Sequence, residues 1–313
     1  MKSTACTASA RLVHDGAPPP DAITGVAQPP RIYCRVAEPA SRKRERESYG
    51  VRGYEMAIDD LATRLESISL ARMSNVDKPY QYRQTLLHAA ASANLPAVAA
   101  ALLDGGARLE YADCSGATAL HWALREENSN MALKLLDRGA NADHVDNAGY
   151  TALILAVRNR SMPVVRRLLD GLPTAAINHL NVEGLSALHA AVLSGRGVLV
   201  DLLAKAGAEI DCRSPTGLGL TPLMTAVLAG QCSMTARLLG LGAQVRLADN
   251  VDNTALHYAV ARGFEQIAYQ LLCTGAQIDC INTEGATPLQ LALAIGPASM
   301  AQLLLDSAAE QLG

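Results

Sequence analysis

Thr118-Ala119-Leu120-His121-Trp122-Ala123 is followed by Thr151-Ala152-Leu153-Ile154-Leu155-Ala156, and then by Ser186-Ala187-Leu188-His189-Ala190-Ala191. The phrase also begins at Thr85, Thr221, Thr254 and Thr287, so seven copies run from Thr85 to Ala292 at spacings of 33 or 35 residues. A period of that size marks a stacked array in which each unit buries its recurring face against its neighbours. The residues between the recurring ones are then free to do work. About three quarters of the 313-residue chain belongs to this array, which predicts one folded body.

Within each copy the phrase starts a short helix, and a Gly or polar turn leads to a second helix. The second helix ends in a Leu-Leu pair: Leu102-Leu103, Leu135-Leu136, Leu168-Leu169, Leu238-Leu239 and Leu271-Leu272. In the fourth copy the pair reads one place early, at Leu202-Leu203. Gly106, Gly139, Gly207, Gly242 and Gly275 stand where a left-handed residue stops a helix. An extended piece with one inward apolar residue follows, such as Leu109, Ile177 or Val245. Tight turns then read Asp113…Gly116, Asp146…Gly149, Asn181…Gly184 and Asn282…Gly285, the carboxylate or amide accepting the turn's N–H groups. Two-residue insertions, through Leu172-Pro173-Thr174 and around Gly217-Leu218-Gly219, fall in connections and are expected to bulge from the surface.

Half of the residues are hydrophobic, yet there is one Phe and one Trp, so the core is expected to be Leu, Ala, Val and Ile in close helix packing. A formal charge of −3 argues against a nucleic-acid clamp. Cys6, Cys34, Cys114, Cys212, Cys232, Cys273 and Cys280 are odd in number, with no CxxC pair and no secretory leader, the pattern of a reduced, intracellular compartment. No apolar run reaches the ~18 residues of a membrane span, so no membrane partner is expected. Lys2 and Arg11, with no acid before Asp15, resemble a presequence, but the prolines that follow count against it.

Residues 1–52 contain Pro18, Pro19, Pro20, Pro29 and Pro30 and little periodic apolar content, which predicts a disordered leader. Its basic run, Arg42-Lys43-Arg44-Glu45-Arg46, has the form of a nuclear import signal and equally that of a solvated linker. Ile58, Leu61, Leu65 and Ile68 then recur at helical spacing, predicting an amphipathic helix over about 55–73 in a segment, 53–78, that caps the stack.

Candidate chemistry is sparse. His88, His121, His189 and His257 form a ladder, but each lies three residues after a Thr or Ser, where the hydroxyl caps the helix and the imidazole bonds locally and to the next repeat. Cys273 and Cys280 have no His partner nearby in sequence and read as small buried hydrophobes. Gly217-Leu218-Gly219-Leu220-Thr221 lacks the Lys-Ser/Thr ending of a phosphate loop and reads as an enlarged hairpin. No Ser-His-Asp elbow, HExxH or kinase set is present, so neither catalysis, a metal nor a cofactor is expected.

From about residue 79 to 313 the chain resembles the ankyrin-repeat proteins in its period, its Thr-x-Leu-His phrase, its Gly-Ala helix stop and its hairpin turn. It departs from their pattern at Ile154, Met224 and Gln290, which replace the histidine, and keeps the family's proline only at Pro222 and Pro288. The resemblance implies an all-α solenoid of helix-turn-helix units with β-hairpin loops, repeats starting near 80, 113, 146, 181, 216, 249 and 282. It further implies a monomeric interaction module whose hairpin tips and first-helix ends line a concave groove for a protein partner. Carried onto this sequence, the groove positions include Asn147, Tyr150, Glu183, Leu185, Asn250 and Glu284 at the tips, and Arg125, Arg158, Leu193, Leu228 and Arg262 on the helices. Arg125, Arg158 and Tyr150 would form a polar half, and Leu185, Leu193, Leu220, Leu228 and Ile295 an aliphatic half that either buries a partner or covers the insertions. Two alternatives stand beside a general scaffold. One is a nuclear regulator resembling the inhibitor-of-NF-kappa-B proteins, without their Asp-Ser-Gly-x-x-Ser phosphodegron. The other is a recruiting subunit of a ligase or other enzyme, for whose appended box Ala308 to Gly313 leaves no room.

Overall fold

The structure, a computed structural model, describes residues 76–79, 81–213 and 217–312. The expected leader, its basic run from Arg42 to Arg46 and the expected helix over 55–73 lie outside these residues. Val76, just after that segment, packs partly buried against the core, and Asp77 Oδ1 accepts the Arg108 backbone N–H at 2.9 Å.

Each copy of the phrase folds as expected into a helix pair. The first helices are α1 (Leu86–Ser92), α3 (Ala119–Arg125), α5 (Ala152–Arg158), α8 (Ala187–Leu193), α10 (Pro222–Leu228), α12 (Ala255–Ala261) and α14 (Pro288–Ile295). Their partners are α2 (Pro96–Asp104), α4 (Ser129–Asp137), α6 (Met162–Leu169), α9 (Gly197–Lys205), α11 (Cys232–Gly240), α13 (Glu265–Cys273) and α15 (Ala298–Leu312). A short helix, α7 (Thr174–Ile177), intervenes between α6 and α8. Successive first helices pack side by side in one row from α1 to α14. Among the described residues extended pairing is limited to isolated bridges, Val145 with Thr151 and Ala248 with Thr254.

The last residue of every phrase is an alanine, from Ala90 to Ala292, and none is more than 2% exposed. These methyl groups lie buried in the row of packed first helices, where close packing favours a small side chain. The leucine seventeen residues after each phrase begins is equally buried: Leu102, Leu135, Leu168, Leu203, Leu238, Leu271 and Leu304. Leu203 therefore keeps the common register. The pair read at Leu202-Leu203 is not displaced; Leu202 is only half-buried and Ala204 follows in the second place.

The insertion through Leu172-Pro173-Thr174 does more than bulge. Pro173 presets the first turn of α7, which buries Ile177 and leads to Asn178. Asn178 Oδ1 accepts the Glu209 N–H at 2.8 Å, just as Glu110 Oε1 accepts that of Asn141 two junctions earlier, also at 2.8 Å. The added residues are thus absorbed before the inter-repeat bond, and the stack resumes its register. Residues 214–216, ahead of the second insertion, lie outside the described residues.

Candidate partner-binding face

The hairpins are built by their first residue. Asp113 Oδ1 accepts the N–H groups of Ser115 (2.8 Å) and Ala117 (3.0 Å); Asp146, Asn181, Asp249 and Asn282 repeat the arrangement. Asp249 opens a turn that sequence reading missed, because its left-handed residue is Asp252 (φ 59°) where a glycine would signal it. Backbone bonds then join tip to tip: Asn147 N–H to the Ser115 carbonyl, Val182 to Ala148, Asn250 to Leu218 and Thr283 to Val251, at 2.9–3.2 Å. Among the described residues these bonds link the tips of the second to fourth repeats into one edge and those of the fifth to seventh into another.

The remaining atom of each buried turn residue needs its own partner. Trp122 Nε1–H donates to Asp113 Oδ2 at 2.9 Å, and the Tyr258 hydroxyl donates to Asp249 Oδ2, both from four residues after their own Thr. In the third repeat that place is Leu155, and Asp146 Oδ2 is reached instead by Arg125 of the preceding repeat at 2.5 Å. Where the turn residue is Asn, its amide must donate. Asn282 Nδ2–H donates to Asn253 Oδ1 at 2.9 Å, whereas Asn181 Nδ2 is buried without a partner among the described residues. Burial works to raise the Asp113 carboxyl, and the hydrogen bonds from Ser115, Trp122 and the backbone outweigh it, holding it below the ordinary range. Burial, reinforced by the Asp249 carboxylate, pushes the Tyr258 phenol up.

The histidines sit beneath these tips as stitches. The Thr85 N–H donates to His88 Nδ1 at 3.0 Å, which fixes Nδ1 as the acceptor and leaves Nε2–H to donate to the Ala117 carbonyl of the next repeat at 3.1 Å. His121, His189 and His257 likewise reach the carbonyls of Tyr150, Leu220 and Ala286. Burial lowers all four imidazoles, His121 and His189 to about 4. An imidazolium would also set a second N–H against the backbone N–H that Nδ1 accepts. These residues hold repeats together; among the described residues no group of three or more His, Cys, Asp or Glu could hold a metal ion.

The predicted contact residues divide by what they already touch. Arg125 is committed: it pairs with Asp146, whose side chain is fully buried, and lies over the Trp122 ring at 5.8 Å. Asn147 and Asn250 are exposed, but their amides donate to the carbonyls of Cys114 (3.0 Å) and Gly217 (2.9 Å), so they stitch tips together as well as presenting a surface. Arg158, Glu183, Arg262 and Glu284 are exposed. Tyr150 is half-buried against the core with the Arg158 guanidinium 5.5 Å above its ring. Leu185, Leu193, Leu220 and Leu228 are half-buried, while Val182 (68%) and Ile295 (50%) are the more exposed apolar groups of this face. Val182, beside Glu183 at its tip, is absent from the positions that the sequence selects, since a lone valine carries no signal.

One expectation is corrected. Cys273 is exposed at the end of α13 and Cys280 only half-buried, so neither is a core thiol; among the described cysteines Cys212 is the buried one. Its Sγ lies 3.2 Å from Ser186 Oγ, and burial raises its pKa, which keeps it a thiol.

Comparison with known proteins agrees with this fold. The chain is 32% identical over 209 residues to the B-cell lymphoma 3 protein homolog of Mus musculus, covering 66% of this chain and 39% of that protein. The chain spans less than half the length of the curated relatives it matches. Among solved structures, the ankyrin repeat domain of Bcl-3, described as a unique member of the IkappaB protein family, superimposes with a TM-score of 0.61 at 30% identity over 71% of this chain and 98% of that one. The human ASB11 ankyrin repeat domain gives 0.61 at 28% identity over 72% and 98%. The family model of ankyrin repeats matches residues 60–146, 132–214, 199–282 and 223–312. The chain belongs to the ankyrin-repeat family.

Proposed function

We propose that this protein acts by binding rather than by catalysis, as a scaffold that holds a protein partner along its hairpin tips and first-helix ends. Ankyrin repeats are protein-interaction modules, and one observation supports this face in particular. Groups of the recurring phrase satisfy one another inside the stack, while Arg158, Val182, Glu183, Arg262 and Glu284, at hairpin tips and first-helix ends, stand exposed. Capture with the full chain tests it. Arg158→Ala and Leu193→Asp should each remove a cross-linkable partner, while Val198→Asp on α9, exposed on the second-helix side, should retain it. Loss with Val198→Asp and retention with the other two would refute the reading.

A second reading is a nuclear regulator of the IkappaB type, favoured by the likeness to the Bcl-3 repeat domain. It predicts that Lys43→Ala with Arg44→Ala shifts a tagged chain out of the nucleus. Unchanged localisation would count against it.

A further inference from the structure

The hairpin turn at the junction between the third and fourth repeats is built like the one before it, except that its first residue is Asn181 where the earlier turn has Asp146. Arg125, seven residues after Thr118, reaches the buried turn carboxylate of the next repeat, Asp146. Arg158 stands in the same register after Thr151, but the next turn residue is Asn181. The Oδ1 atoms do the same work in both: Asp146 accepts from Ala148 and Tyr150, and Asn181 from Glu183 and Leu185. The Asn181 NH2 group therefore occupies the place of the carboxylate oxygen that Arg125 engages. A guanidinium and an NH2 group are both donors and cannot bond.

The consequence is visible on both sides of the mismatch. Asn181 Nδ2 is buried with no partner among the described residues, although its residue is 5% exposed. Arg158 lies out over Tyr150, and among the described residues no carboxylate comes within ion-pair distance of it. The histidine stitch is missing here as well, since Ile154 takes its place. Of the charged groups nearby, Arg160 and Arg196 are exposed at helix ends, and Glu183 is the exposed acid on the adjoining tip. The register thus brings two sets of donors to one junction and omits the acceptor that the same fold supplies one repeat earlier.

We propose that a partner's carboxylate fills this place: the junction of repeats three and four reads an Asp or Glu side chain in an acidic segment of a bound protein, pairing it with Arg158 where Asp146 pairs with Arg125. This rests on the binding function proposed above and adds the chemistry of the partner. Planar, bidentate recognition of a carboxylate is the geometry for which arginine is suited. Asn181 keeps the place from being filled by the chain itself.

The test uses the full chain and a capped, fluorescein-labelled hexaglutamate peptide, with hexaglutamine as the uncharged control. The wild type should bind hexaglutamate and not hexaglutamine. Arg158→Gln should weaken binding about tenfold, the loss of one charge-assisted pair. Asn181→Asp, which supplies the carboxylate from within, should weaken it equally while holding or raising the melting temperature. Glu183→Gln, which removes the acid adjoining the site, should bind hexaglutamate more tightly than the wild type. Arg166→Ala on α6, which removes the same unit of charge elsewhere, should stay within about twofold. Failure of the wild type to bind, equal loss in Arg166→Ala and Arg158→Gln, or wild-type binding by a folded Asn181→Asp would each overturn the proposal. Should Asn181→Asp fail to fold, Arg158→Gln against Arg166→Ala decides. If Leu193→Asp still loses the captured partner while hexaglutamate binding is absent, the inference fails and the general binding function stands.

Discussion

At the scale of the residue, the aspartates of the hairpin turns and the histidines of the ladder have bonding roles that constrain their chemistry. Trp122 and Tyr258 look like core aromatics in sequence, yet each donates to a buried turn carboxylate. Trp122→Phe should therefore cost about 1–3 kcal/mol in urea unfolding, because Asp113 Oδ2 loses its donor while staying buried. Adding Asp113→Asn to that variant should not restore it unless the new NH2 finds an acceptor, as Asn282 does in Asn253. The histidines make stability depend on pH. His121 and His189 have folded-state values near 4 against an ordinary 6.5, so between those limits the unfolded chain binds more protons. Their contribution is complete above about 6.5 and is lost as pH falls toward 4, with a slope of about 1.4 kcal/mol per pH unit for each. Gln290 shows how the local half of the stitch survives without titration, accepting the Thr287 N–H at 2.9 Å. His189→Gln should flatten the fall in melting temperature between pH 6.5 and 4.5, and lower it at pH 7.5 through the weakened bond to the Leu220 carbonyl. An unchanged acid slope would contradict this account of the histidines.

At the scale of the element, register decides which residues matter. Leu203→Ala should cost about 2–5 kcal/mol and Leu202→Ala less than half as much, since only the former fills the position shared by all seven second helices. Equal losses in chemical denaturation would contradict the assignment. The helix pairs, the glycine stops and the histidine ladder were legible because each follows from local spacing. Other features were not, for identifiable reasons. Helix α7 arises because Pro173 starts a turn inside an insertion that carries no periodic pattern. Arg125 and Asp146 are 21 residues apart, and nothing between them announces that the arginine of one repeat answers the carboxylate of the next. Asn147 and Asn250 read as free tip residues because their acceptors are backbone carbonyls of the neighbouring tip, groups that every residue possesses. The exposure of Cys273 depends on the side of α13 it occupies, which its apolar neighbours Leu271 and Leu272 obscure.

At the scale of the whole array, stability is shared between repeats and the interfaces that join them, so junctions need not be equal. The third and fourth repeats meet without a histidine stitch, across an insertion and beside an unpaired buried amide. Amide exchange should accordingly be faster around residues 177–185 than at the matching positions 142–150. The central claim is that the frame spends its recurring residues on itself and leaves the tip and first-helix edge to a partner. Hydrogen exchange of the full chain with and without its captured partner tests this most directly. Protection concentrated in 147–150, 158–160, 182–185 and 193–196 is the predicted result; protection confined to α6 and α9, with that edge unchanged, would contradict it.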